Sequence, residues 1–260
     1  MRKLLQSGSF LIAGIFLFTS CEAWEDESYH EGGDSFEPAL LVKEVRTTSE
    51  DSDAEGLIKY AYDTQNRVTE ILTYGDLLEM DTYVQTTFQY PSATKTIMIS
   101  KTYVEEALMF TLTTTIDVIN STTANVTVQN NLTGDISSVI TYSAPCGTAT
   151  AENTIEFMGE EFTSTTTYDY TDANCSYKEF IDGELEETVT KDDKFSPYLD
   201  PQALALGITA QHNITKVVNA VEGTTHNIVY TYNEMDYPTK AVHTFEGSDE
   251  VNYTEEFTYY

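Results

Sequence analysis

The stretch Ile58-Lys-Tyr-Ala-Tyr-Asp-Thr-Gln-Asn-Arg-Val-Thr-Glu-Ile71 decides the fold class. Ile58, Tyr60 and Tyr62 alternate with Lys59 and Ala61, the period of two that a strand shows when one face is buried. Asp63 is placed to hydrogen-bond the backbone of a turn. Asn66 tolerates the left-handed conformation a tight reversal needs before Val68 opens a second strand. The segment reads as strand, turn, strand. It returns as Ile228-Val-Tyr-Thr-Tyr-Asn-Glu-Met-Asp-Tyr-Pro-Thr-Lys-Ala241. A weaker copy is Tyr168-Asp-Tyr-Thr-Asp-Ala-Asn174, with Tyr168, Tyr170 and Asn174 set on Tyr60, Tyr62 and Asn66, and Phe88-Gln-Tyr90 keeps only the aromatic pair.

Outward from this hairpin the chain is a series of short β-patterned runs: Leu40–Thr47, Leu57–Tyr62, Val68–Tyr74, Tyr83–Tyr90, Thr94–Tyr103, Leu108–Ile119, Ala124–Gln129 and Ile136–Tyr142, with more to follow. Thr, Val, Ile, Tyr and Phe dominate them, and Asp-Gly, Asn-Asn and Gly-Asp pairs punctuate them. Without helical stretches between them, such runs build antiparallel meanders. The expected class is all-β, an antiparallel meander forming a strongly curved sheet, an open barrel or a sandwich. One short helix is expected near 201–206, where Asp200 is an N-cap, Pro201 suits the first helical position and Gly207 closes the C-terminus. The closing segments are Thr225–Tyr232, Lys240–Phe245 and Tyr253–Tyr260.

The beginning of the chain is different in kind. Arg2 and Lys3 precede the apolar run Phe10–Phe18 and the small pair Thr19-Ser20. Residues 1–20 therefore read as a signal peptide too short to span a membrane stably. The small residues before Cys21 resemble a bacterial lipobox, which makes Cys21 the expected site of lipid attachment. Residues 21–37 are acidic and poor in aliphatics, so they form a flexible tether. Residues 38–260 are read as a single all-β domain, with two packed halves meeting near Cys146 as the alternative.

Tyr60-Ala-Tyr-Asp-Thr-Gln-Asn-Arg-Val-Thr69 resembles the tyrosine-aspartate repeats of Rhs-type proteins. The wider pattern of Asp192-Asp-Lys-Phe-Ser-Pro197, Asn213-Ile214, Tyr230-Thr-Tyr-Asn233 and Tyr237-Pro-Thr239 resembles uncharacterised surface lipoproteins of Bacteroidota. The resemblance implies a lipid-anchored envelope protein and supplies no activity. Glu22, Glu25, Asp26 and Glu27 resemble the signal that sends such lipoproteins to the outer face of the outer membrane; a solvated linker without an address is the bland alternative.

A formal charge of −30 excludes a nucleic-acid binder and keeps the body off an anionic membrane, so the membrane is reached through the N-terminal lipid alone. With Cys21 acylated, Cys146 and Cys175 remain as an even pair in an exported chain. They read as a disulfide, against the alternative of two buried thiols. Asp51-Ser-Asp-Ala-Glu-Gly56 starts like a calcium loop, but Tyr62 stands where the bidentate Glu belongs, and it is taken as a solvated loop. His30, His212, His226 and His243 are dispersed, so no metal or cofactor is expected, and no catalytic motif stands out. Acid pairs such as Glu160-Glu161 and Glu186-Glu187 identify nothing in so acidic a chain. The 18 tyrosines are read mainly as half-buried strand packing.

The expected function is a non-enzymatic binding or interaction module at the outer membrane surface, with a protein, glycan or apolar ligand as partner. A carrier of a lipid in a curved-sheet cavity is the alternative, and an envelope hydrolase requires carboxylates converging with raised pKa values.

Overall fold

The computed structural model of the chain describes residues 40–49, 55–77, 80–130, 135–143, 146–157, 160–198, 212–247 and 252–260. Sixteen strands follow one another: β1 (Val42–Ser49), β2 (Glu55–Tyr62), β3 (Val68–Leu77), β4 (Met80–Ser92), β5 (Lys95–Val104), β6 (Ala107–Asn120), β7 (Thr123–Asn130) and β8 (Ile136–Ser143). The second half comprises β9 (Gly147–Phe157), β10 (Glu160–Tyr170), β11 (Tyr177–Ile181), β12 (Glu184–Phe195), β13 (His212–Asn219), β14 (Thr224–Tyr232), β15 (Pro238–Glu246) and β16 (Tyr253–Tyr259). Each pairs antiparallel with the next, and β1 pairs with β16, so the meander closes into a barrel.

Closure corrects the expectation of a curved sheet, open barrel or sandwich. Val45 faces Ile58 on one side and Phe257 on the other, so the first strand is bonded along both edges and none of the described strands is left as an exposed template. Among the described residues there is no helix, and the helix expected at 201–206 falls outside them.

The turns obey the chemistry read from the sequence. Asp63 Oδ1 accepts from the backbone N–H groups of Gln65 (2.8 Å) and Arg67 (3.0 Å), while Asn66 takes φ 59°. Asn233 does the same for Met235 (2.9 Å) and Tyr237 (3.0 Å), with Asp236 at φ 61°. The third copy is one residue out of the expected frame. Asp172 is the acceptor, from Asn174 (2.9 Å) and Ser176 (3.0 Å), so the left-handed residue is Cys175 at φ 61° and not Asn174. A short side-chain acceptor three residues before the left-handed position is the common element, and aligning on the tyrosines hides it.

A device that the sequence does not announce repeats along one rim, where odd strands begin and even strands end. Tyr62 donates its hydroxyl to the Val42 carbonyl (2.8 Å), Tyr90 to Val68 (2.7 Å), Tyr142 to Asn120 (2.6 Å), Tyr170 to Thr148 (2.9 Å) and Tyr259 to Pro238 (2.6 Å). Each reaches a carbonyl 20 to 22 residues back. The ring supplies apolar area while the hydroxyl satisfies a backbone acceptor that the ladder leaves open at the rim.

Alternate residues point into the barrel. Val45, Val68, Ile116, Ala124 and Ala241 are 0% exposed. A barrel of this strand number at ideal curvature encloses a water-filled channel, so complete burial means that protein fills the interior at these positions. The core falls into two clusters. One gathers Val42, Val45, Tyr60, Val68, Phe88, Ile228, Ala241 and Phe257, and the other Ile116, Ala124, Val126, Val128, Ile140, Tyr142 and Ala151. Outward positions carry polar groups such as Glu152, Thr165, Lys178, Lys216, Lys240 and Glu256, all exposed, together with isolated apolar ones such as Val139 and Val229.

Candidate functional site

Inside the wall of β14, β15 and β16 runs a chain of polar groups. His226 Nε2 lies 2.9 Å from His243 Nδ1, His243 Nε2 lies 3.1 Å from Glu255 Oε2, and Tyr198 donates to the same oxygen at 2.7 Å. With the proton on Nε2 of each imidazole, His226 donates to His243 and His243 donates to Glu255. Burial, and then the neighbouring His243, hold His226 down to about 4. His226 stacks on Phe245 (4.2 Å) and His243 on Tyr253 (4.1 Å). Both nitrogens of His243 are engaged, so the chain is a structural link. The dispersed histidines of the sequence are thus brought together in part; the hairpin register, which sets Ile228 against His243, is the signal that reveals it.

Tyr198 follows β12 and enters the interior, where its ring meets Phe257 edge-on at 5.7 Å. The residues quoted for the lipoprotein resemblance converge beside it. Asp192 Oδ1 accepts from the N–H groups of Lys194 (2.9 Å) and Asn213 (3.2 Å), and Tyr232 donates to Oδ2 of Asp192. Lys194 pairs with Asp236 at 3.1 Å, and Phe195 stacks on Tyr237 at 5.2 Å. Together they form a clasp that ties both flanks of segment 199–211 to β14 and the turn after it.

Glu179 and Glu187 face each other across β11 and β12 on the inward side. Burial, and then the charge of Glu187, push Glu179 up to about 7; burial also raises Glu187. Tyr168 donates to Glu179 at 3.2 Å. Two carboxylates with raised pKa values therefore do meet, inside the wall. Glu160 and Glu161 lie at the start of β10, away from them.

Cys146 and Cys175 are bonded, with Cα atoms 5.3 Å apart, and join the turn after β8 to the turn after β10. Cys21, the tether and Asp51–Ala54 lie outside the described residues. Among the described residues no group of three or more His, Cys, Asp or Glu is placed to hold a metal. A depression on the outer wall is lined by Thr111, Thr113, Gln129, Asn130 and Asp135, small polar groups without a reactive member.

The outer wall carries one conspicuous feature. Leu57 pairs with Tyr74, Tyr74 with Tyr83, Tyr83 with Tyr103, and Tyr103 with Leu108, a single cross-strand row from β2 to β6. Tyr83 and Tyr103 stack at 4.4 Å and 8°, Tyr74 is tilted against Tyr83 at 6.0 Å, and the Lys59 ammonium caps the Tyr74 ring at 5.9 Å. A bulge between Thr102 and Tyr103 leaves Leu108 and Met109 both exposed, at 52% and 54%.

No family model matches the chain, and no curated protein matches it. Among solved structures it is similar to a porin-like protein from Bacteroides uniformis, with 15% identity and a TM-score of 0.57 over 84% of this chain and 96% of that one. The two share a fold. At this identity the likeness extends to the barrel and no further.

Proposed function

We propose that this chain is a lipid-anchored protein of the outer membrane whose barrel stands in water as a non-enzymatic binding module, held by acylated Cys21 through the tether 21–37. The wall's polarity carries the reading. A membrane-crossing barrel turns an apolar band toward lipid and a polar, often open, lumen inward. Here Thr, Lys and Glu face outward, and Val45, Ile116 and Ala124 face a filled interior. The barrel shared with a porin-like protein of a Bacteroides species supports an outer membrane setting, as do the signal peptide and lipobox residues. β1 starts on the tyrosine rim, so in this reading that rim is the one nearer the anchor along the chain. In this exported setting the bond between Cys146 and Cys175 persists.

A lipid-carrier role is less well supported, since Tyr198, Phe257 and the histidine chain occupy the interior with the protein's own side chains. The test is metabolic labelling with an alkyne fatty acid followed by fractionation. The wild type should be labelled and sediment with outer membranes. Cys21→Ala should be unlabelled and soluble. A Cys21→Ala protein that resists alkaline extraction from membranes would show that the barrel itself spans the bilayer.

A further inference from the structure

Of the interior groups, the histidine chain is taken up in hydrogen bonds with its neighbours and the Asp192 carboxylate is saturated, while Glu187 Oε2 and Asn213 Oδ1 are buried without a partner inside the wall and offer no surface to a macromolecule. The outer-wall row is different, because Tyr74, Leu108 and Met109 are exposed on it and the half-exposed Leu57, Tyr83 and Tyr103 continue it across the strands. We propose that Leu57, Tyr74, Tyr83, Tyr103, Leu108 and Met109 form a docking ridge for a polypeptide with an apolar centre bordered by Lys or Arg. This rests on the binding-module reading and names its partner's chemistry.

The geometry of the rings argues for a polypeptide over a sugar. A saccharide stacks on an exposed aromatic face. Here Tyr83 and Tyr103 cover each other's faces, and Lys59 covers that of Tyr74, so the ridge offers ring edges and hydroxyls above an aliphatic flank. That combination of rigid apolar body and hydrogen-bonding tip is what concentrates binding energy in protein interfaces.

Charge selects the sign of the partner. The two-residue turn at the end of the ridge is Glu105-Glu106, both exposed, directly between the strands that carry Tyr103 and Leu108. The described connections on that rim, 105–106, 182–183 and 220–223, contain no Lys or Arg. A chain of formal charge −30 repels a second copy of itself and an anionic lipid surface, while drawing in a cationic surface. The rim concerned is the one opposite the start of β1.

The experiment places the photo-crosslinking residue p-benzoylphenylalanine at Tyr83 of the full-length, lipid-anchored chain in its own cells. Thr127 and Thr165, both outward-facing, serve as comparison sites. The expected result is a protein adduct at Tyr83 exceeding those at the comparison sites, on a partner segment that contains Lys or Arg. With that partner purified, Tyr83→Ser/Tyr103→Ser should weaken binding by roughly 30-fold or more. Glu105→Gln/Glu106→Gln should slow association and flatten its salt dependence. A homodimer, a glycan or lipid adduct, or a partner segment without basic residues overturns the proposal. Protein adducts at the comparison sites but not at Tyr83 overturn the ridge and leave the binding module standing. No protein adduct at any site removes both.

Discussion

At the scale of single residues the barrel holds two proton-binding groups that act in opposite directions. Glu179, raised from its ordinary 4.5 to about 7, keeps a proton that the unfolded chain releases across that range, so its contribution to stability falls as pH rises from 4.5 to 7. His226, lowered from 6.5 to about 4, stays neutral where the unfolded chain gains a proton, so its contribution is lost as pH falls from 6.5 to 4. Denaturation of Glu179→Gln across pH 4 to 8 should show a gain over wild type that grows from pH 4.5 and levels off above 7. That gain is at most about 3.5 kcal/mol by the usual 1.4 kcal/mol per unit. His226→Gln should instead gain on wild type as the solution is acidified. Curves parallel to wild type would mean that neither group is displaced from its ordinary titration. Neither group stood out in the sequence: Glu179 is one of 43 acidic residues and His226 lies apart from any motif, and only the register of their strands gives them neighbours.

At the scale of elements, the hairpins were legible and the latches were not. The alternation of Ile58, Tyr60 and Tyr62, and the Asp63 and Asn66 chemistry, act over a few residues, so they can be read directly. The carbonyl that a rim tyrosine seeks lies 20 to 22 residues away and is backbone, which leaves no mark on composition. Tyr142→Phe tests the device, since its ring is 8% exposed and the change removes only the hydroxyl that bonds Asn120. Urea unfolding should show a loss of about 1 kcal/mol, the usual size for one buried hydrogen bond. Tyr74→Phe, on the outer wall, should leave stability nearly unchanged. Equal effects at the two positions would remove the latch as a stabilising unit.

At the scale of the whole molecule, charge and closure oppose each other. A formal charge of −30 on a closed barrel repels itself in the folded state, and the effect reaches about 10 Å at 0.1 M salt. Raising NaCl from low to roughly 0.5 M should therefore lift the melting temperature by a few degrees, about what relief of 1 kcal/mol gives a chain of this size. An unchanged or lower melting temperature would mean that the ion pairs, such as Arg67 with Asp63, outweigh the repulsion. The sequence by itself determined that the chain is all-β and antiparallel. It also placed most strand boundaries and turn residues, because period-two patterning and turn chemistry are local. The lipid anchor and tether were likewise expectations of the sequence alone. Only the tertiary structure decided that β1 meets β16, that Tyr198 enters the barrel, and that Tyr74, Tyr83 and Tyr103 line up across three strands. Those facts depend on which residues stand opposite one another after the ring has closed, and register between distant strands is set by the sum of all the pairings around the barrel.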